Sequence, residues 1–128
     1  MVGICWTPNI IIALFAANEA VITAISQADE VFLSSVVLGE LYYGAERSGR
    51  IEANKQRIDE FGEENIILVC DVETAKRYGQ VKNQLRQKGR PIPENDIWIA
   101  ALGLQYGLTI VSRDKHFEEV DDLNVVVW

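Results

Sequence analysis

Glu40, Asp96 and Asp114 are the three residues of this 128-residue chain whose types and positions can do chemistry together. Each is a carboxylate set in hydrophobic sequence at or near an expected strand end or helix start. A fold that gathers acids at one sheet edge must relieve their repulsion, and a hard divalent cation such as Mg²⁺ or Mn²⁺ does so through oxygen ligands. An ion held by two or three carboxylates keeps positions for water and for a phosphate oxygen. It polarises a phosphodiester and lowers the pKa of the attacking water, and a second ion roughly 3.5–4 Å away stabilises the leaving oxygen. Glu40, Asp96 and Asp114 are therefore expected both as metal ligands and as catalytic groups.

Each acid also has a plainer reading. Glu40 can be a helical charge turned to solvent, although Val36, Val37, Leu38, Leu41, Tyr42 and Tyr43 leave its helix little polar face. Asp96 can be an acid in the first turn of a helix, where the backbone dipole is worth roughly 0.3–1 kcal/mol. Glu94 and Asn95 can serve there too. Asp114 can be an Asx-turn or cap. What favours chemistry is that all three fall at crevice-facing points. His116, the one imidazole, stands beside Phe117 and is assigned no catalytic role.

The elements that position these acids read as alternating strands and helices. Strands are expected at 2–6, 31–33, 66–69, 108–111 and 125–127. Helices are expected at 9–16 (Thr7 as N-cap, Pro8 in the first turn), 18–28, 36–46, 50–61, 72–87 and 94–106. Ser34 or Ser35 and Asp71 are expected caps, and Gly89 and Gly107 the stops. The alternation implies an α/β class, a three-layer α/β/α arrangement with a mainly parallel sheet, as a single domain over 1–128. Function in such sheets collects beyond the carboxyl ends of the strands.

Composition narrows the setting. Hydrophobic residues are 48% and charged residues 24%, ordinary for a soluble domain. Cys5 and Cys70 lack zinc-ligand spacing, so no disulfide framework is expected and a cytoplasmic location fits; Cys5 reads as a core residue. Ile10–Ala17 is apolar but too short to cross a bilayer, so no membrane is expected. Nineteen acids against 12 bases give −7, which argues against a general nucleic-acid binder. Yet Lys76, Arg77, Lys82, Arg86, Lys88 and Arg90, half of all the bases, lie in the helix and loop leading to Asp96. A phosphate-tracking role is expected there, with Arg113, next to Asp114, as the substrate-binding residue.

The segments Asn9–Leu14, Leu33–Ala45 (LSSVVLGELYYGA), Ile92–Ala101 (IPENDIWIAA) and Leu108–Phe117 (LTIVSRDKHF) resemble the PIN-domain ribonucleases, specifically the VapC-type toxins of toxin–antitoxin pairs. The resemblance spans essentially the whole chain. It implies a small metal-dependent endoribonuclease that cleaves RNA, forms a homodimer and is held inactive by a cognate antitoxin. By motif, Glu40, Asp96 and Asp114 match three of the family's acidic metal-site positions. The departure is at the first motif: the family typically reads Asp-Thr-Asn after strand one, and this chain reads Thr7-Pro8-Asn9. A hydroxyl in place of a carboxylate weakens cation binding. The alternative is thus an inactive PIN-fold module that keeps antitoxin or RNA binding. A receiver-type regulatory domain is disfavoured, because none of the first three strands ends in a phospho-acceptor Asp, apart from the cap-like Asp71.

Overall fold

A computed structural model describes residues 3–19, 22–23 and 30–128. Five strands build one sheet: β1 (Gly3–Trp6), β2 (Glu30–Ser34), β3 (Ile66–Leu68), β4 (Thr109–Ser112) and β5 (Asn124–Val127). Their order is β3-β2-β1-β4-β5, and every pair is parallel. β1 is central: Cys5 lies opposite Phe32 on one side and Ile110 on the other. Such a strand has no solvated face, which is why it reads as a continuous apolar run. Cys5 is fully buried, and burial pushes its thiol up to about 12, so it is the inert core residue expected.

Parallel pairing requires crossovers, and helices supply them. They are α1 (Pro8–Phe15), α2 (Ser35–Glu46), α3 (Ile51–Glu63), α4 (Val72–Lys88) and α5 (Glu94–Tyr106), with a 3₁₀ turn at Lys115–Glu119. Most of the sequence signals for their ends are used. Ser34 accepts from the Val37 N–H at 3.0 Å, and Asp71 and Thr74 cap α4 reciprocally. Gly89 and Gly107 close α4 and α5 at φ 67° and 63°, a region costly for other residues. The expected helix at 18–28 falls largely outside the described residues.

Thr7 departs from expectation. It precedes α1 with extended dihedrals, but its hydroxyl makes no capping bond. It instead turns across the sheet towards β4. Trp6 beside it is buried against Phe61, with ring centroids 5.8 Å apart, and its indole N–H has no protein partner. The core around these residues joins Ile10, Ile11, Leu33, Val37, Ile99 and Ile110. Among the described residues, no helix is long and apolar enough to cross a membrane.

Candidate active site

Going outward from β1, the chain builds β2 and β3 on one side and β4 and β5 on the other. The connections therefore leave in opposite directions between β1 and β4, and a crevice opens at the carboxyl ends of those strands. A cleft of about 530 Å³ occupies that place. Thr7, Asn9, Glu40, Asp96, Ser112, Asp114 and His116 all line it, so the three acids named from sequence border one hollow.

Glu40 reaches it from α2. Val37, Leu41 and Ala45 form the buried stripe of that helix, and Glu40, three residues after Val37, lies at the edge of the stripe. It is half-buried, which raises its carboxyl above the ordinary value. A hydrogen bond with the Asn95 side chain opposes that rise, and the charge of Asp96 adds to it.

Asp96 sits in the first turn of α5, where Pro93 sets the helix start and accepts from the Asp96 N–H at 3.0 Å. Its Oδ2 lies 2.6 Å from His116 Nε2. Burial raises this carboxyl, the His116 charge and hydrogen bond lower it, and the charge of Asp114 raises it further. Asp96 is thus the middle acid, feeling Asp114 and felt by Glu40.

Asp114 follows β4 and makes no side-chain cap for the 3₁₀ turn. Asn9 Nδ2 donates to its Oδ2 at 3.1 Å, and its own N–H donates to Ser112 Oγ at 3.0 Å. Asn9 Oδ1 in turn accepts from the Arg113 N–H at 3.3 Å. Thr7 completes the network from beneath, only 2% exposed. Its Oγ1 lies 2.8 Å from Asn9 Oδ1 and 3.0 Å from the Val111 carbonyl, two acceptors for one hydroxyl proton.

Arg113 is exposed and takes part through its backbone; its side chain is not in the cleft wall. Of the six bases before Asp96, Arg77, Lys82 and Lys88 are tied to Glu73, Glu94 and Asp121. Lys82 alone of these has a partner, Glu94, that lines the cleft. Sequence reasoning missed Asn9, Ser112 and His116 as members of the site. Asn9 stands in the first motif and Ser112 and His116 in the last, but their contacts to Asp114 and Asp96 are made only by the fold, Asn9 reaching Asp114 across 105 positions and His116 reaching Asp96 across 20.

The donors are hard oxygens, which suits Mg²⁺ or Mn²⁺. Among the described residues, however, no three His, Cys, Asp or Glu groups are close enough to cage one ion. Mg²⁺ does not need such a cage: it is usually bound through one or two carboxylates plus water and substrate phosphate. The arrangement is compatible with that looser mode, since Asp96 is coupled electrostatically to Asp114 and Glu40 to Asp96. It does not fit a closed protein cage, and Thr7, buried and neutral, adds no charge to the cleft wall.

Comparison with known proteins agrees with this architecture. The family description "PIN domain" matches residues 9–123. The chain is 38% identical over 102 residues to Ribonuclease VapC2 of Haemophilus influenzae strain Rd, covering 79% of this chain and 77% of that protein. It is 37% identical over 97 residues to the tRNA(fMet)-specific endonuclease VapC of Shigella flexneri, covering 75% and 74%. In structure it is similar to a chain of the DNA-bound VapBC crystal structure from Salmonella typhimurium, with TM-score 0.90, 27% identity and coverage of 100% and 99%.

Proposed function

The chain belongs to the PIN-domain family, and we propose on that premise that it is the metal-dependent endoribonuclease toxin of a VapBC-type toxin–antitoxin pair, folded as one PIN-like domain over 1–128. The observation that carries this reading is the convergence of Glu40, Asp96 and Asp114, from three separate elements, on the one cleft at the switch point of the sheet.

A bound Mg²⁺ or Mn²⁺ would supply Lewis acidity toward a phosphate oxygen and a water acidified for attack. The protein's part is to hold the donors. Asn9 holds one carboxylate oxygen of Asp114, and Ser112 holds its backbone N–H. His116 holds one oxygen of Asp96 and thereby orients the other. Asn95 steadies Glu40 across the opening. A groove of about 440 Å³ adjoins the cleft, shares Pro8, Ile12 and Glu40 with it, and continues over Phe15, Leu41 and Ile58. An apolar antitoxin segment seated there would approach the acids, which is how a cognate antitoxin would hold the enzyme inactive.

The experiment is incubation of the purified chain with bulk tRNA and a short unstructured RNA in Mg²⁺ or Mn²⁺. Cleavage abolished by chelation, and reduced at least about 100-fold in Asp96→Asn and in Asp114→Asn, is the expected result. Metal-independent cleavage that survives both substitutions refutes it.

A second reading has its own observation: Thr7 brings no charge to the cleft, and no three-acid cage forms among the described residues. On that reading the chain keeps antitoxin or RNA binding without turnover. Cleavage that appears only in Thr7→Asp, with antitoxin binding in both forms, selects it.

A further inference from the structure

Another concavity, of about 410 Å³, adjoins the acidic cleft and shares His116 with it. Arg90, Pro91, Ile92, Lys115 and Glu119 form most of its wall. Its sign is opposite to that of the cleft. Arg90 and Lys115 are both exposed and take part in none of the ion pairs among the described residues, whereas Lys55, Arg77, Lys82 and Lys88 are each held by a carboxylate. Glu119 is the one acid of the wall, and its backbone oxygen accepts from Lys88 Nζ at 2.9 Å.

Both cations stand on anchored chain. Gly89 ends α4 in the left-handed region, and the Arg90 N–H donates to the Leu85 carbonyl at 3.0 Å. Pro91 then restricts Arg90 to extended backbone, and buried Ile92 roots the segment. Lys115 opens the 3₁₀ turn whose Phe117 is buried in the core. The anchored backbone fixes where the two side chains start, so both charges can reach the same pocket.

A chain of net charge −7 with acids in its cleft repels a polyanion. A strand whose reacting phosphate lies among those acids is retained when its neighbouring phosphates meet fixed cations. We propose that the Arg90–Lys115 pocket is a subsite for a backbone phosphate of single-stranded RNA flanking the linkage at the acidic cleft, with His116 on the path between them. This rests on the ribonuclease reading, to which it adds the position and residues of substrate binding.

The test is fluorescence anisotropy with a labelled mixed-sequence single-stranded RNA, in Ca²⁺ and over a salt series. The proteins are the native chain, Arg90→Ala/Lys115→Ala and the charge-matched control Arg50→Ala/Lys55→Ala. Circular dichroism checks folding, and Arg90→Gln/Lys115→Gln is a second, milder variant with the same expectation. The pocket variants are expected to bind about tenfold or more weakly, with the slope of log K against log salt reduced by about 0.7 for the one phosphate no longer neutralised; the control is expected to change by less than about twofold. Native binding with equal affinities in pocket and control variants overturns the subsite while leaving the ribonuclease reading standing. A native chain that neither binds nor cleaves RNA overturns both.

Discussion

Thr7→Asp is the perturbation in which stability and metal binding should trade places. The Thr7 hydroxyl is buried and bonded, and its loss costs about 0.5–1.5 kcal/mol. The Val111 carbonyl is not orphaned, because the residue 7 N–H also donates to it at 3.2 Å. Charge repulsion costs more than the lost hydrogen bond. A new carboxylate at position 7 faces the Asn9 oxygen and the acids beyond it. One like charge at about 5 Å and an effective dielectric near 20 costs about 3 kcal/mol.

The metal-free variant should therefore be about 4 kcal/mol less stable near neutral pH, a large share of the roughly 5–15 kcal/mol typical of a domain. At about 4 °C per kcal/mol for a chain of this length, Tm falls by about 15 °C. A cation that binds the completed site at about a hundredfold excess over Kd restores about 2.7 kcal/mol, or about 10 °C. The native chain, with its open donor set, should gain about 3 °C or less. Differential scanning fluorimetry with and without Mn²⁺, and calorimetric Mn²⁺ titration, read both numbers. Equal metal-induced shifts in the two proteins would refute the reasoning, since position 7 would then lie outside the cation's reach.

Two further outcomes follow from the same geometry. Glu40 has a raised pKa in the fold, chiefly from burial, so its ionisation destabilises the metal-free native state as pH rises above the unfolded value of about 4.3. Glu40→Gln should match the native chain in chemical unfolding at about pH 4 and exceed it modestly by about pH 7, while binding Mn²⁺ more weakly; a difference that grows towards acid pH would contradict this. Tyr43 of α2 is 63% exposed, leaving an aromatic ring available to a second copy of the chain. Light scattering at micromolar concentration should give twice the chain mass, and a monomer throughout would remove the homodimer.

Much of the α/β frame was legible in the residues because its signals are local. Ser34, Asp71, Gly89 and Gly107 mark helix ends through bonds and dihedrals within a few positions of themselves. The apolar run of β1 announces a central strand for the same reason. Glu40, Asp96 and Asp114 stood out because a charge within an apolar segment is itself a local anomaly, and the cleft gathers all three.

What the tertiary structure alone decided depends on strand order, which no local pattern encodes. Placing β1 beside β4 carries the Thr7 hydroxyl to Val111 and Asn9 to Asp114, across 104 and 105 positions. The turn after β4 brings His116 onto Asp96, and the Pro91-fixed loop sets Arg90 and Lys115 around one pocket. It also leaves the acids spread rather than caged, with a neutral side chain at the end of β1. Residue types can nominate ligands, but only the positions of the strands in the sheet bring side chains more than 100 positions apart into hydrogen-bond contact and the acids to one cleft.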